Sequence, residues 1–317
     1  MKEEDKKLYR ASIKSVDTEE FIDMWFYRPL GFRCALFFRN RGVHPNIITI
    51  ASIFLGIAAG ICFAQTSIRW NMLGMLFLIW ANLYDSTDGQ LARITGQKTR
   101  WGRILDGFAG DCWFFFIYLA IALRETDKPI PFAPEHTWGV IIWILLSFCG
   151  FWVHGSQCQL SDYYRNIHLY FSNEENGHEF HNSTMEKEEY QRTSWRTTFF
   201  WKLFLRFYVA YVENQERMSP KFQKFIKTVH SKYGTDIPDS LRKEFCKGSK
   251  PLMKYTNILT FNSRAITLCF TMLIDQLWLY IVFELFILMI IFIYMQYKHE
   301  TLCSRLTQKI EGGHEFN

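Results

Sequence analysis

The stretch Leu277–Met295, LWLYIVFELFILMIIFIYM, carries a single charged residue, Glu284. An apolar run of about 20 residues is long enough to cross the hydrocarbon core of a bilayer. Inside that core every backbone N–H and C=O needs a partner, so only helices and closed barrels span it. The chain shows no strand-like alternation, which leaves helices. Apolar segments recur at 47–64, 71–84, 108–123, 138–155, 258–274 and 277–297. Segment 71–84 is short and counts as a span when its polar end, with Asp85, lies at the interface. The expected fold is an all-α integral membrane protein: a six-transmembrane-helix bundle with interfacial helices at the N-terminus and in a cytoplasmic loop.

Charge orients the spans. Arg28, Arg33, Arg39 and Arg41 precede the first, and Arg93, Lys98, Arg100 and Arg103 lie between the second and third. Excess Lys and Arg mark the cytoplasmic side. Six spans then put both termini and the aspartate-rich loop in the cytoplasm, and the chain divides accordingly. Residues 1–44 form a cytoplasmic and interfacial segment, and 45–158 hold the first four spans. Residues 159–251 form a cytoplasmic insertion with amphipathic helices, 252–298 the last two spans, and 299–317 a cytoplasmic tail. In the insertion, Lys202 and Arg206 stand i, i+4 on the otherwise apolar 195–212, as in a helix lying in the interface. A seventh span there is the rival reading.

Composition closes off other classes. Net charge is only +5 with 11 Trp, which suits membrane lipids as partners and not nucleic acid. Eight scattered cysteines with no C-x-x-C read as reduced thiols, not as disulfides or a zinc site. The N-terminal MKEEDKKLYR lacks the apolar core of a signal peptide. "HEFH" (178–181) has weak metal spacing inside a polar loop, and "NST" (182–184) is a sequon on the side expected to be cytoplasmic. Gly56 and Gly60 make a small-xxx-small pair that permits close helix packing.

The chemistry lies in YDSTDGQLARITGQKTRWGRILDGFAGD, Tyr84–Asp111. Asp85 and Asp88, at i, i+3, share a helical face. Gly89 and Ala92 leave the neighbouring surface nearly bare, Arg93 adds a cation, and Asp106 opens the next span. Oxygen ligands without His or Cys suit Mg²⁺ or Mn²⁺. A single Asp at a helix end is usually a cap or a solvated charge. Four of them with this Gly, Ala, Arg and Gly are a site, because ionisable groups at membrane segments are costly.

The pattern Asp85-x-x-Asp88-Gly89-x-x-Ala92-Arg93, eight residues, then Gly102-x-x-x-Asp106 resembles the signature of the CDP-alcohol phosphatidyltransferases. HPNIIT (44–49) adds the Pro-Asn-x-x-Thr common in that family. The resemblance implies a six-helix bundle, a homodimer, and transfer of a phosphate-bearing group from a CDP-activated alcohol or lipid to a hydroxyl, releasing CMP. It implies Asp85, Asp88 and Asp106 as metal ligands, and Asn46, Thr49, Gly89, Ala92, Arg93, Thr99 and Gly102 around the CDP moiety. The family's fourth aspartate is the general base and stands four residues after the third. In this chain that position is Gly110, and the acid is Asp111. Five residues along a regular helix leave Asp111 about 140° from Asp106. A one-residue π-bulge, tolerated by Gly107 and Gly110, would return Asp111 to the site as ligand and base. Without it, Asp106 or a substrate phosphate takes the proton.

Weaker signals suggest an acceptor pocket: His154, Gln157, Ser161 and Arg165 at helical spacing, with Arg165 and Arg264 as candidates for an acceptor phosphate. Glu284 calls for a buried partner. GQKTRWGRILD looks more like the branch with a CDP-lipid donor, of CDP-diacylglycerol type, and an inositol- or glycerol-phosphate acceptor. A CDP-choline or CDP-ethanolamine donor with a diacylglycerol or ceramide acceptor is the alternative. A divalent-cation transporter is the competing class, and it gives Asn46, Thr49, Gly89 and Arg93 no role.

Overall fold

The structure, a computed structural model, describes residues 3–13, 15, 17–172, 182–234, 236–313 and 315–316. The HEFH motif (178–181) lies outside the described residues. The chain is 82% helical. In order, the helices are α1 (Glu3–Ser12), α2 (Arg28–Arg39), α3 (Pro45–Phe63), α4 (Ile68–Thr95), α5 (Arg100–Glu125), α6 (Gly139–Phe148) and α7 (Gly155–Ser172). After these come α8 (Ser183–Arg192), α9 (Phe199–Met218), α10 (Pro220–Tyr233), α11 (Asp239–Ser249) and α12 (Met253–Ile258). The last three are α13 (Phe261–Leu273), α14 (Trp278–Val282) and α15 (Met289–Glu311). A small antiparallel hairpin, Pro129–Ile130 with Ala133–Thr137, is the strand pairing the sequence did not signal.

Among the described residues, four helices are long and apolar enough to cross a membrane: Pro45–Phe63, Arg100–Glu125, Gly139–Ser172 and Trp278–Glu311. The helix at 199–218, where a seventh span was the rival reading, is not one of them. Its Lys202 donates to the Thr193 carbonyl and sits over the Tyr190 ring.

The chain forms two compact units. The first comprises residues 1–155 and 261–288. Gly56 and Gly60 bring α3 against α5. A Cβ at Gly56 would stand 1.9 Å from Trp113 Cδ1, and one at Gly60 2.6 Å from Phe116 Cβ. The small-xxx-small pair is therefore a packing device. Ala59, Phe63, Leu78, Phe114, Ile117, Leu268 and Met272 fill the core beneath. The second unit comprises residues 156–260 and 289–317. Its core stacks Phe171 on Phe245 and Tyr164 on His299.

Two local devices set the loop that carries the motif. Gly96 ends α4 in the left-handed conformation, φ 69°, which glycine adopts without a Cβ clash. Three residues later Thr99 caps α5, its hydroxyl accepting from the Gly102 N–H at 2.9 Å. The tight reversal sets the polar end of α4 beside the start of α5.

Candidate active site

Carboxylate oxygens of Asp85, Asp88 and Asp106 lie within 4.8 Å of one another. Asp88 is buried, Asp85 half-buried and Asp106 exposed, so the group opens on one side. One oxygen, Asp88 Oδ2, is buried and has no hydrogen-bond partner. A buried acceptor left without a donor is costly. Burial, and then the charge of Asp106, hold both Asp85 and Asp88 well above the usual carboxylate range. The charges of Arg28 on Asp85 and of Arg93 on Asp88 only partly offset the mutual repulsion of the acids. A hard dication fits the group: three oxygen donors close together, no nitrogen or sulfur ligand, and a buried Asp88 oxygen without a hydrogen-bond partner.

The remaining motif residues surround this group. The Thr49 hydroxyl acts on the Asp88 carboxylate. Arg93 lies across Gly89, where a Cβ would come 3.4 Å from Nη2 and 3.5 Å from Nη1. Ala92 follows on α4, half-buried. Asn46, Thr99 and Gly102 converge, since a Cβ at 102 would stand 3.1 Å from Thr99 Oγ1 and 3.2 Å from Asn46 Oδ1. Asn46 is fixed by the start of α3, where His44 Nδ1 accepts its N–H. Burial and the neighbouring Arg28 push the Arg93 guanidinium down to about 10.

The expected bulge at Gly107–Gly110 is corrected by the structure. The helix α5 is α-helical from Arg100 to Glu125. Glycine tolerates a π turn but does not require one. The regular register buries Ala109, Trp113, Ile117, Ala120, Ile121 and Arg124 along one stripe. One inserted residue above Trp113 would turn Asp106 and Asp111 relative to each other only by unseating that stripe or the reversal before it. Asp111 stays exposed and is not brought into the carboxylate group.

The π turns occur elsewhere, at Asp23–Tyr27, Cys149–His154 and Phe283–Leu288. The last two deliver His154 and Glu284 to one buried network. Tyr118 Oη donates to Glu284 at 2.7 and 2.8 Å, and Tyr280 Oη donates to it at 2.9 Å. His154 Nδ1 lies 3.1 Å from Tyr118 Oη, and Arg264 pairs with Glu284. Glu284 thus has the partner its position demands. Arg264 was a sequence candidate for an acceptor phosphate, but its side chain is fully buried in this ion pair. Arg165, the other candidate, donates to Asn257, Thr260 and Thr256 within the second unit.

Sequence reasoning missed Arg28 and Ser12. Arg28 reads as one of four arginines before the first span, and nothing local marks its reach to Ser86 (3.3 Å) and Glu19 (2.9 Å). A second group, His299, Glu300 and Cys303, also converges. There Glu300 accepts from the Lys221 and Phe222 N–H groups and caps α10, a sufficient account of its burial.

Residues 42–162 match the family model described as CDP-alcohol phosphatidyltransferase. No curated protein and no solved structure matches the chain.

Proposed function

We propose, from the match of residues 42–162 to the CDP-alcohol phosphatidyltransferase model, a family of transferases, that the protein moves a phosphatidyl-type group from a CDP-activated lipid of CDP-diacylglycerol type to a hydroxyl acceptor. An inositol- or glycerol-phosphate type acceptor is the leading choice, and the step belongs to phospholipid synthesis. The observation that carries this reading is the convergence of Asp85, Asp88 and Asp106 around a buried, unpartnered oxygen.

Asp85, Asp88 and Asp106 would hold Mg²⁺ or Mn²⁺. When bound, the ion neutralises the donor diphosphate and the charge that develops on it. The bare surface of Gly89 and Ala92 admits the diphosphate, which Arg93 meets with its guanidinium. Asn46, Thr49, Thr99 and Gly102 border the CDP moiety. The acceptor oxygen bonds to the phosphorus that carries the lipid, the P–O bond to CMP breaks, and CMP leaves. An acceptor approaching from the metal side would leave its proton to Asp106 or a substrate phosphate, because α5 is regular; we place the acceptor over the other face, about 7.5 Å along α5 from Asp106, so that Asp111 takes the hydroxyl proton. Asp111 is therefore assigned to the acceptor and not to the metal. Arg165 is proposed to reach the acceptor only after leaving its present partners.

Six spans support the same picture. Beside the four long apolar helices, the apolar part of α4 (71–84) and α13 supply two more. The count returns both termini and the site to the cytoplasmic side, where Arg93 to Arg103 is free of acid. Exposed Phe199, Phe200 and Phe207 on α9 fit a helix lying in the interface. We take the assembly as a homodimer.

The test is release of CMP. Membranes containing the protein receive labelled CDP-lipid, Mg²⁺ or Mn²⁺, and a panel of acceptors. Release that depends on the metal and on one acceptor is expected. No release with any CDP-lipid or CDP-alcohol donor, from folded protein, would move the reading to a divalent-cation transporter.

A further inference from the structure

The carboxylate group is walled on one side by a segment that precedes the matched stretch. Gln90, on α4, is fully buried, and its Nε2 donates to Ser12 Oγ (3.1 Å) and to the Arg28 carbonyl (3.2 Å). Ser12 is also fully buried, and its carbonyl accepts from Arg93 Nε. Arg28 donates Nε to Glu19 and Nη1 to Ser86 Oγ, and its charge acts on Asp85. The helix α2 lies close upon α4, since a Cβ at Gly31 would stand 2.6 Å from Gln90 Oε1. Asn262 Nδ2 ties the same segment through Glu20 and Asp23.

The chemistry of a guanidinium gives this arrangement a consequence. Arg93 has five N–H donors in a rigid fork. The Ser12 carbonyl takes the one at Nε. That fixes the plane of the fork and leaves both Nη atoms lying over the bare helix at Gly89. Bidentate recognition of phosphate needs that geometry fixed beforehand. Ser12 supplies a main-chain atom, so its own position must be held by others. Gln90 holds it directly, and Arg28 ties the later part of the segment to α4 through Glu19 and Ser86.

We propose that the N-terminal segment is part of the donor site: Gln90 and Arg28 hold the Ser12 carbonyl against Arg93, and so aim that guanidinium at the donor diphosphate. Gln90 and Arg28 are then positioning residues. The inference rests on the transferase reading of the same site.

The experiment uses the full chain in detergent with Mn²⁺, and CMP as the probe. Calorimetry gives the dissociation constant for CMP in the wild type, Gln90→Leu, Arg28→Gln and Arg28→Lys. Steady-state kinetics give KM for donor and acceptor separately. Loss of one charged hydrogen-bonded arrangement predicts a CMP affinity and a donor KM weakened about tenfold in Gln90→Leu and Arg28→Gln. The acceptor KM should not move, and Arg28→Lys should recover most of the affinity. A segment that serves only the fold predicts a lower melting temperature with CMP affinity unchanged, and that outcome overturns the proposal. If Gln90→Leu does not fold, Arg28→Gln decides alone. If the wild type takes up no CMP with Mn²⁺, the transferase reading itself fails and the inference falls with it. Wild-type binding with unaltered variants defeats the inference only.

Discussion

Two groups of charge in the first unit of this chain, one buried and one open on one side, are built on opposite rules. Around Glu284 each charge has its counterpart: Arg264 pairs with it, and Tyr118 and Tyr280 donate to it. Around Asp88 three carboxylates crowd together, and one buried oxygen has no donor. A satisfied network gains nothing from a ligand, whereas an unsatisfied one binds whatever brings the missing charge. We read the first as structure and the second as a candidate site, although both begin as acids in or beside membrane segments.

The strongest way to break this contrast is Asp88→Asn. CMP release should fall at least about 10³-fold, because several kcal/mol of charge stabilisation disappear with the metal. Without divalent ions the melting temperature should hold or rise, since one of three like charges is gone. Near-normal turnover would remove the metal site. Asp111→Asn comes next, with kcat lowered by about 10²–10⁴-fold as for loss of a general base. Mn²⁺ affinity should be unchanged in that variant. If it drops as it does in Asp88→Asn, Asp111 belongs to the metal after all, and the separation drawn from the regular helix is wrong.

At Glu284 the sign reverses, and the effect falls on stability. Arg264→Met leaves a buried carboxylate uncompensated and should cost about 3–5 kcal/mol in unfolding measurements. Adding Glu284→Gln should restore most of that loss. The amide carbonyl still accepts from Tyr118 and Tyr280, and no charge remains to be balanced. A double variant no better than the single one would show that the ion pair does more than balance charge.

The sequence made one of these groups legible and half of the other. The convergence of Asp85, Asp88 and Asp106 could be read because they sit within a short stretch, where helical spacing and turn chemistry translate directly into geometry. Thr99 and Gly102 are such a case, a cap and its partner three residues apart. Glu284 announced that it needed a partner but not which one, because Arg264 and Tyr118 reach it across the fold. The π turn expected at Gly107–Gly110 did not form. Glycines at 107 and 110 permit distortion, but the buried stripe through Ala109, Trp113 and Ile117 fixes the register. The turns formed at Asp23–Tyr27 and Phe283–Leu288, which hold no glycine, and at Cys149–His154, which holds Gly150 and precedes Gly155. Ser12 was illegible for a plain reason: it acts through a main-chain carbonyl, which every residue has.

Binding of the missing charge should itself be visible as stability. At a metal concentration about 100 times Kd, a ligand confined to the folded state adds about 2.7 kcal/mol. Mg²⁺ or Mn²⁺ should raise the melting temperature of the wild type and of Arg264→Met alike, and leave Asp88→Asn unmoved. Equal shifts in all three would mean that the ion binds elsewhere.

The smallest expected effect separates the glycines. Gly56 is packed, and a methyl group there would run into Trp113. Gly107 and Gly110 have nothing within 4 Å of where a Cβ would sit, on the helix that carries both Asp106 and Asp111. Helix propensity alone predicts that Gly110→Ala stabilises the protein by up to about 1 kcal/mol. If the open face of α5 between the two aspartates is where the acceptor approaches, the same methyl should raise the acceptor KM and leave CMP affinity untouched. A stabilised variant with both constants unchanged would show that the acceptor reaches Asp111 by another face. The offset of one residue that carries the fourth aspartate away from the metal would then need a different explanation from the one given for it.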